Sequence, residues 1–386
     1  MKSKLRVLLL ALTLFATAQA TAQIPVITSF SQNGTLVCSN LVPNGAALVE
    51  WASSPSGPWY NSWNNLAAPV ADSNGAIHVS VPMFYRVRGI LPPTNGMVII
   101  PAGSFTIGNS LAVGGSDPDI TDATPATVSV SAFYMDANLV SYSLWQSVAA
   151  AATNVLGYTF PTNAIRNPSG WGSNYPVQSN YWGNAVLWCN ARSQLAGLKP
   201  VYYTDAGLTQ LFTNYANVTP PTIYPDWTAS GYRLPTEAEW EKAARGGLVG
   251  KRFPLGDTIS ENLANYLGNT STYGYDLGPD GYNPAGFGGN GPTPVGMFEL
   301  NGYGLSDMAG NLDEWCWDWY AGPSYPAGSP YLGGSDPHGP DTGIARVVRG
   351  GSFADEARVA RCAYRLSTSP ISLGVKVVGF RCVRKY

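Results

Sequence analysis

The chain contains 386 residues, of which 22 are Lys or Arg and 24 are Asp or Glu, so its formal net charge is −2 at pH 7. This balance, with charged residues at only 12%, excludes the dense positive charge of a nucleic-acid-binding protein. A hydrophobic fraction of 45% argues against disorder, while 43 glycines and 30 prolines predict many loops. Length alone predicts roughly two or three domains.

The first 22 residues have the layout of a secretory signal peptide. Lys2, Lys4 and Arg6 precede an apolar run over 7–16, and small residues follow at 18–22. The apolar run is shorter than the roughly 20 residues that a transmembrane helix requires, and no later run reaches that length. We therefore expect a mature chain without a transmembrane segment, exported to the periplasm or the extracellular space.

Residues 23–91 alternate short apolar runs with turn clusters of Pro, Asn and Gly, which predicts a small antiparallel β module. The predicted strands lie at 35–37, 46–51, 76–81 and 84–87. Its aromatic side chains are open to two interpretations, a sugar-stacking face or the core of the module. These residues are Trp51, Trp59, Tyr60 and Trp63. The segment 92–96 is predicted to be a linker.

From residue 97 onward the pattern predicts a strand, a glycine turn and a second strand, then helices separated by loops. The three predicted helices are one beginning near Ser141, one over about 181–196 between Asn180 as N-cap and Gly197, and one opened by the Thr236–Glu239 capping box and closed at 245–247. Beyond residue 250 the chain is predicted to consist of loops and short strands. Such irregular stretches usually need support from metals or a disulfide.

Metal and thiol chemistry is limited by the composition. The chain has two histidines, His78 and His338, which excludes a His-rich zinc or non-haem iron site. The cysteines are Cys38, Cys189, Cys316, Cys362 and Cys382. Their odd number leaves at least one thiol without a partner in the same chain, and their spacing does not define a pairing.

Several long motifs occur in order along the larger region. They are MVIIPAGSF (97–105), GYRLPTEAEWEKAARGG (231–247), NGYGL (301–305), AGNLDEW (309–315), RGGSF (349–353) and GFRC (379–382). Over about three quarters of the chain, these motifs resemble the formylglycine-generating enzyme, or sulfatase-modifying factor, family. The resemblance implies an irregular, loop-rich α+β fold related to C-type lectins over residues 97–386, and links the chain to oxidation of a sulfatase cysteine to formylglycine.

The resemblance also implies two calcium sites, which suit loops rich in oxygen ligands. The first set is Asn265 and the Tyr266 carbonyl with Asp280 and the Tyr282 carbonyl. The second set is Asp307, the carbonyls of Gly310 and Leu312, and the Glu314 side chain. The alternative interpretation is that these are turn residues whose side chains satisfy their own backbone.

The cysteines depart from the family pattern. Enzymes of the family use two thiols to hold Cu(I) and activate oxygen, and soft thiolates suit that ion. Cys362 matches the second of these thiols and is the candidate catalytic residue, but Ala357 stands at the position of the first. Copper is therefore disfavoured unless Cys316 supplies the missing thiol; otherwise Cys316 is a small buried apolar residue.

Two further features have structural interpretations. Cys189 and Cys382 match positions that form a disulfide in some family members. The arginines of the C-terminal segment either line a groove for an acidic or peptide ligand or, as we favour, hold loops through carbonyls and carboxylates. These arginines are Arg349, Arg361, Arg365 and Arg381.

The sequence is therefore compatible with two classes of function. The first is an exported oxidase that acts on a sulfatase, which requires a second thiol near Cys362. The second is a non-catalytic, calcium-stabilised module that binds a protein, a peptide or a glycan on the same scaffold. Whether the chain is an enzyme is left open by the residues.

Overall fold

A computed structural model describes two parts of the chain in different detail. It gives the backbone of five strands before residue 90, and backbone with side chains for nearly all of the remainder. The described residues there are 96–111, 115–161, 165–166, 171–179, 181–215, 222–321, 334–371 and 377–386. The predicted signal peptide, most of the predicted linker, the side chain of Cys38 and the predicted aromatic face lie outside the described residues.

The N-terminal unit is formed by antiparallel strands. Its strands are β1 (Val26–Phe30), β2 (Thr35–Ser39), β3 (Ala47–Ala52), β4 (Ala76–His78) and β5 (Phe84–Gly89). β1, β2 and β4 form one sheet, and β3 pairs with β5 along its whole length. The four apolar runs predicted as strands are β2 to β5, and β1 is an additional strand.

The described residues from Gly96 onward belong to a second unit with sixteen short strands. They are β6 (Met97–Ile100), β7 (Gly103–Ile107), β8 (Ala126–Val130), β9 (Phe133–Asp136), β10 (Ile165–Arg166), β11 (Gln178–Ser179), β12 (Tyr202–Tyr203), β13 (Tyr224–Pro225), β14 (Tyr232–Arg233), β15 (Leu267–Gly268), β16 (Gly281–Tyr282), β17 (Asp313–Trp319), β18 (Arg346–Arg349), β19 (Leu366–Thr368), β20 (Val378–Gly379) and β21 (Val383–Lys385).

Two four-stranded sheets organise this unit. One has the order β14-β21-β9-β6 and is antiparallel throughout. The other has the order β19-β18-β17-β20, in which β20 runs parallel to β17 and the other pairs are antiparallel. The remaining strands of this unit form two-stranded ladders, so most of its described residues lie in loops, as the glycine and proline content predicts.

Three α-helices pack on these sheets, and their ends follow from local chemistry. α1 (Tyr142–Leu156) begins after Ser141, whose side chain accepts from the Leu144 N–H. α3 (Glu237–Ala244) begins with the predicted capping box, in which Thr236 and Glu239 bond each other's backbone N–H. α2 (Trp182–Leu195) lies within the predicted range 181–196, but the predicted N-cap, Asn180, is wrong, because the N-cap is Tyr181, which makes no side-chain cap.

The two faces of the second sheet bury different side chains. Trp315 and Trp317 of β17 pack in a cluster with α1 and α2, whereas Cys316 packs in a cluster with α3. Successive residues of a strand point to opposite faces, so the alternation along β17 separates the two clusters. The indoles of Trp315 and Trp317 and the thiol of Cys316 therefore lie on opposite sides of one sheet.

The structure agrees with the predicted fold class, a mixed and loop-rich α+β fold preceded by small antiparallel sheets. The predicted domain boundary at residues 91–97 stays a prediction, because independent folding of the two parts has not been tested. None of the helices in the described part of the chain combines the length and apolar character that crossing a membrane requires.

Candidate functional site

Cys362 is buried at the C-terminal end of α3. Its side chain is 0% exposed and packs in the same cluster as Ala243 and Ala244. Its N–H donates to the Arg252 carbonyl at 2.7 Å, and its carbonyl accepts from Arg349 Nη2 at 2.7 Å. Burial raises the pKa of the Cys362 thiol to about 12. Without a bound metal, this raised pKa makes the sulfur a weak nucleophile at neutral pH, because the thiolate is the reactive form.

Of the two positions considered as partners of Cys362, one carries sulfur. Ala357 is buried in a different cluster, with Phe253 and Tyr266. Cys316 shares the Cys362 cluster as a second buried free thiol, and burial raises the pKa of Cys316 as well. A metal ion displaces the proton of a thiol that it binds, so copper at Cys316 and Cys362 stays a prediction.

The structure brings Cys189 and Cys382 together, as the predicted disulfide requires. Cys189 lies on α2 and Cys382 directly precedes β21; both are fully buried. Their sulfurs are 3.5 Å apart and interact as two thiols, farther apart than the roughly 2.05 Å of a disulfide bond. The predicted bond therefore stays a prediction between correctly placed residues.

A two-residue ladder runs through the first predicted calcium set. Leu267, which follows Tyr266, pairs with Tyr282, and Gly268 pairs with Gly281, which follows Asp280, so Tyr266 and Asp280 lie toward opposite ends of the ladder. Asp280 Oδ1 accepts from both the N–H and the hydroxyl of Thr270, at 2.6 and 2.9 Å. One carboxylate oxygen of this set is thus already engaged in a turn.

The second predicted set contains a buried carboxylate oxygen without a partner. Asp307 Oδ2 accepts from the Gly296 N–H at 2.8 Å, whereas Oδ1 has no hydrogen-bond partner. Burial raises the pKa of Asp307 to about 6. Both oxygens of Glu314, by contrast, accept N–H groups, from Arg381 at 2.8 to 3.0 Å and from Trp240 at 3.0 Å. The set therefore fits a cation at Asp307 better than at Glu314.

The two sets are adjacent in space. The Asn311 N–H donates to the Asn265 carbonyl at 2.7 Å, and Asn265 and Gly310 form a parallel bridge. A Cβ at Gly310 would lie 2.2 Å from the Asn265 carbonyl oxygen, so only glycine permits this approach. Asp307 and Asn311 both have positive φ, at 57° and 68°. In the described part of the chain, three or more His, Cys, Asp or Glu side chains nowhere converge into a metal cluster.

The arginines of the C-terminal segment hold loops, as the favoured interpretation predicts. Each is at least 95% buried and contacts a carboxylate. The pairs are Arg349 with Glu241, Arg361 with Asp117 and Asp119, Arg365 with Glu237, and Arg381 with Glu314. Buried charges need such partners to offset the loss of hydration. These four residues therefore do not offer free guanidinium groups to a ligand.

A cavity on the opposite side of the second sheet was not predicted. It encloses about 620 Å³ between the loops 222–227 and 338–343. We call it the tryptophan pocket, and its defining side chains are Trp182, Trp227, Trp317, Trp319, His338 and Arg346. The signal that could have located it is the alternation of tryptophans at 315, 317 and 319, which places indoles on one face of a strand.

Comparison with known proteins places this architecture in a family. The model of the sulfatase-modifying factor enzyme 1-like domain matches residues 89–386. The formylglycine-generating enzyme of Thermomonospora curvata is 34% identical over 312 residues, covering 74% of this chain and 92% of that protein. The corresponding enzyme of Streptomyces coelicolor is 33% identical and covers 75% and 89%.

A solved structure agrees with the sequence relatives. Variable protein 1 of Treponema denticola superimposes with a TM-score of 0.55 at 28% identity, covering 75% of this chain and 95% of that protein. The family match spans all the described residues from Gly96 onward. The chain therefore belongs to the sulfatase-modifying factor family, whose members include the formylglycine-generating enzymes.

Proposed function

We propose that the protein is an exported, non-catalytic binding member of this family, stabilised by calcium. The observation that carries the proposal is that Cys362, which is fully buried, lacks the second thiol of the copper-binding pair that the resemblance implies. Ala357 at the position of the other thiol supplies no sulfur. A shared fold does not by itself fix a shared reaction, so membership in the family is compatible with loss of the oxidase chemistry.

Export rests on the N-terminal residues, whose charge and apolar pattern is that of a cleaved signal peptide. The ligand we propose is a protein, a peptide or a glycan, bound on the surface of the family domain. A concave site with aromatic walls and few polar groups is typical of ligand-binding pockets, and the tryptophan pocket has this composition.

Calcium is proposed for its structural effect on the loops. Oδ1 of buried Asp307 has no hydrogen-bond partner, and the Asn265 carbonyl, from the first ligand set, accepts from the Asn311 N–H in the loop that follows Asp307. Calcium binds carboxylate and carbonyl oxygens in flexible geometry, which suits these loops. One ion would hold the segments around 265 and 280, and a second ion would bind the Asp307 carboxylate.

The competing function is oxidation of a sulfatase cysteine to formylglycine. It is favoured by the 34% identity to a formylglycine-generating enzyme over most of the chain. A sulfatase would then be the protein partner. The sequence supplies one of the two thiols that the resemblance implies, Cys362, while Ala357 stands at the position of the other.

Aerobic turnover of a peptide containing Cys-x-Pro-x-Arg separates the two functions. The mature protein is incubated with the peptide, with and without Cu(I), and the mass of the peptide cysteine is followed. We expect no conversion in either condition. The Thermomonospora curvata enzyme serves as the positive control, and circular dichroism confirms that the protein is folded.

Copper-dependent conversion that is lost in Cys362→Ser but kept in Cys189→Ser would overturn the proposal. Cys189 is the matched control because it is equally buried and lies in the other core cluster. Conversion lost in both variants would instead report damage to the core, and melting curves of the variants distinguish that case.

A further inference from the structure

The tryptophan pocket contains a buried cation between aromatic rings. Arg346, at the start of β18, is 4% exposed and lines the cavity. Its guanidinium carbon lies 3.8 Å from the ring centre of Trp182 and 3.5 Å from that of Trp319. Cation–π contacts of this kind hold the group flat between two indoles. The residue is thereby fixed in position before any ligand arrives.

Arg346 differs from the other buried arginines of the C-terminal segment in its ionic contacts. Its Nη1 donates to the Trp317 carbonyl, and its Nε, like that of Arg349, makes no hydrogen bond. Within the described ranges, Arg346 has no carboxylate at ion-pair distance, whereas Arg349, Arg361, Arg365 and Arg381 each have one. A buried charge without a counter-ion is costly, and a bound anion would offset that cost.

The charge balance around Arg346 is compatible with a single negative charge. Burial lowers the pKa of Arg346 to about 9, and the nearby carboxylate of Asp318 acts in the opposite direction. Asp341 lies on the exposed rim of the pocket. Asp318 and Asp341 repel a dianion such as a phosphate monoester about twice as strongly as a monoanion, and the single guanidinium can neutralise only one negative charge.

The walls of the pocket are suited to a ring. His338 stacks on Trp227 with ring centres 3.6 Å apart and planes 1° apart, which makes one rigid flat wall. Trp227 in turn meets Trp317 edge to face, with ring centres 5.5 Å apart. Rigid aromatic surfaces bury the apolar face of a ligand at little entropic cost.

A peptide is a poorer match for these walls. Extended peptides are commonly bound by adding a strand to a free sheet edge. β18 has no free edge at Arg346, because this residue pairs with Trp319 on one side and Thr368 on the other. The neighbouring β13 ends in Pro225, which has no N–H to donate.

We propose that the tryptophan pocket binds a ring that carries a carboxylate, as presented by a hexuronic acid unit of an acidic glycan, with Arg346 as the carboxylate-binding residue. This proposal rests on the binding function proposed above. The indole and imidazole surfaces would contact the apolar face of the pyranose, and the guanidinium would receive its carboxylate. A free aromatic acid has the same chemistry, so the test includes one.

Calorimetric titration of the full-length mature protein tests the proposal with three probes. The probes are cellobiouronic acid, its neutral counterpart cellobiose, and benzoate. We expect cellobiouronic acid to bind at least about tenfold more tightly than cellobiose, because a hydrogen bond to a charged group is involved. Arg346→Gln should remove this preference, whereas Arg358→Gln, an arginine that is 40% exposed and outside the pocket, should keep it.

A second variant keeps the test decisive if Arg346→Gln does not fold. His338→Ala removes one aromatic wall, so both sugars should bind more weakly while the preference for the acid remains. Equal binding of the two sugars, absence of binding, or a preference that survives Arg346→Gln would overturn the proposal. Binding of benzoate alone would assign the pocket to free aromatic acids and overturn the glycan assignment. The proposed non-catalytic function is tested by peptide turnover, which is measured as a mass change and not as binding. Failure of the glycan assignment can therefore be distinguished from failure of the proposed function.

Discussion

Glu241 is the carboxylate at which separate segments of the chain meet. Its Oε1 accepts from the Gly108 N–H and from Arg245 Nη2, both at 2.7 Å, and its Oε2 pairs with Arg349. The residue is 0% exposed. Because burial removes bulk water as a replacement partner, the arrangement of these loops depends on the charge of this one side chain.

Replacing Glu241 by Gln is expected to lower the free energy of unfolding by about 3–5 kcal/mol, the usual cost of leaving buried charges without their partner. Two guanidinium groups, those of Arg245 and Arg349, would lose their shared counter-ion. Urea denaturation followed by tryptophan fluorescence measures the change.

The matched control for this substitution is Asp257→Asn. Asp257 pairs with Lys251 at 2.5 Å, but the two side chains are 40% and 36% exposed. Exposed pairs contribute about 0–1 kcal/mol, so this variant should unfold nearly as the wild type does. Equal losses of unfolding free energy in both variants would show that burial does not increase the contribution of the Glu241 ion pairs to stability.

His338, in the wall of the tryptophan pocket, is expected to make the stability of the protein depend on pH. Burial, followed by the nearby Arg233, lowers the pKa of His338 below its usual value, while Glu239 and Asp336 act in the opposite direction. The unfolded chain therefore takes up a proton at His338 more readily than the folded chain does. Protonation favours the unfolded state, so stability should fall as the pH decreases from about 6.5 and level off below the pKa of the folded protein.

The expected result is that wild-type protein loses more stability than His338→Gln between about pH 7.5 and about pH 5. The glutamine variant lacks the titrating group, so its loss comes from the remaining residues alone. Urea denaturation at the two pH values measures the difference. A parallel pH dependence in the two proteins would contradict the lowered pKa.

At the scale of elements, α3 shows how local chemistry and burial combine. All eight of its residues are buried, including Glu237, Glu239 and Glu241. A helix of two turns has little intrinsic stability in water, so its ends and its tertiary contacts must define it. The Thr236 cap satisfies an N–H that would otherwise be buried without a partner.

Thr236→Ala is expected to cost about 1 kcal/mol, the typical value for loss of an N-cap. Thr127→Ala serves as the control, because Thr127 is an exposed residue of β8 and caps no helix. Thermal denaturation of the two variants measures the difference. A Thr236 variant as stable as the Thr127 variant would show that Glu239 alone suffices to begin the helix.

The helices could be predicted from the sequence because their signals are local. The capping box of α3 and the beginning of α1 near Ser141 both follow from the spacing of the residues. The start of α2 was misplaced because Tyr181 has no capping side chain, and nearly all of this helix is buried, so polar residues do not mark its ends. The ladders of two residues were missed because periodicity cannot be recognised over two positions.

The tryptophan pocket could not be predicted for a different reason. Its walls come from α2, β13, β17 and the loop before β18, which are far apart in the sequence. Each tryptophan taken alone is compatible with an ordinary core residue. The proposal that the pocket binds an anion depends on Arg346 having no carboxylate at ion-pair distance among the described residues. Such a contact pattern is defined only by the folded chain.

At the scale of the whole molecule, charge is concentrated inside. Charged residues make up 12% of the chain, yet arginines and carboxylates occupy buried positions throughout the second unit. The loops that make up most of this unit are held by such pairs more than by long strands. A loop carrying an unpaired buried carboxylate, such as that of Asp307, is then a weak point unless a cation is bound.

Calcium should therefore raise the melting temperature of the whole protein, because an ion that binds only the folded state stabilises it by mass action. At about 100 times the dissociation constant, the gain is about 2.7 kcal/mol. Calorimetry in calcium and in EGTA measures the shift, which should shrink in Asp280→Asn and in Asp307→Asn but not in Asp205→Asn. Asp205 is the control, because it caps an exposed turn outside both ligand sets. An unchanged melting temperature in calcium would mean that the Asp307 carboxylate is tolerated without a cation, and it would remove calcium from the proposed function.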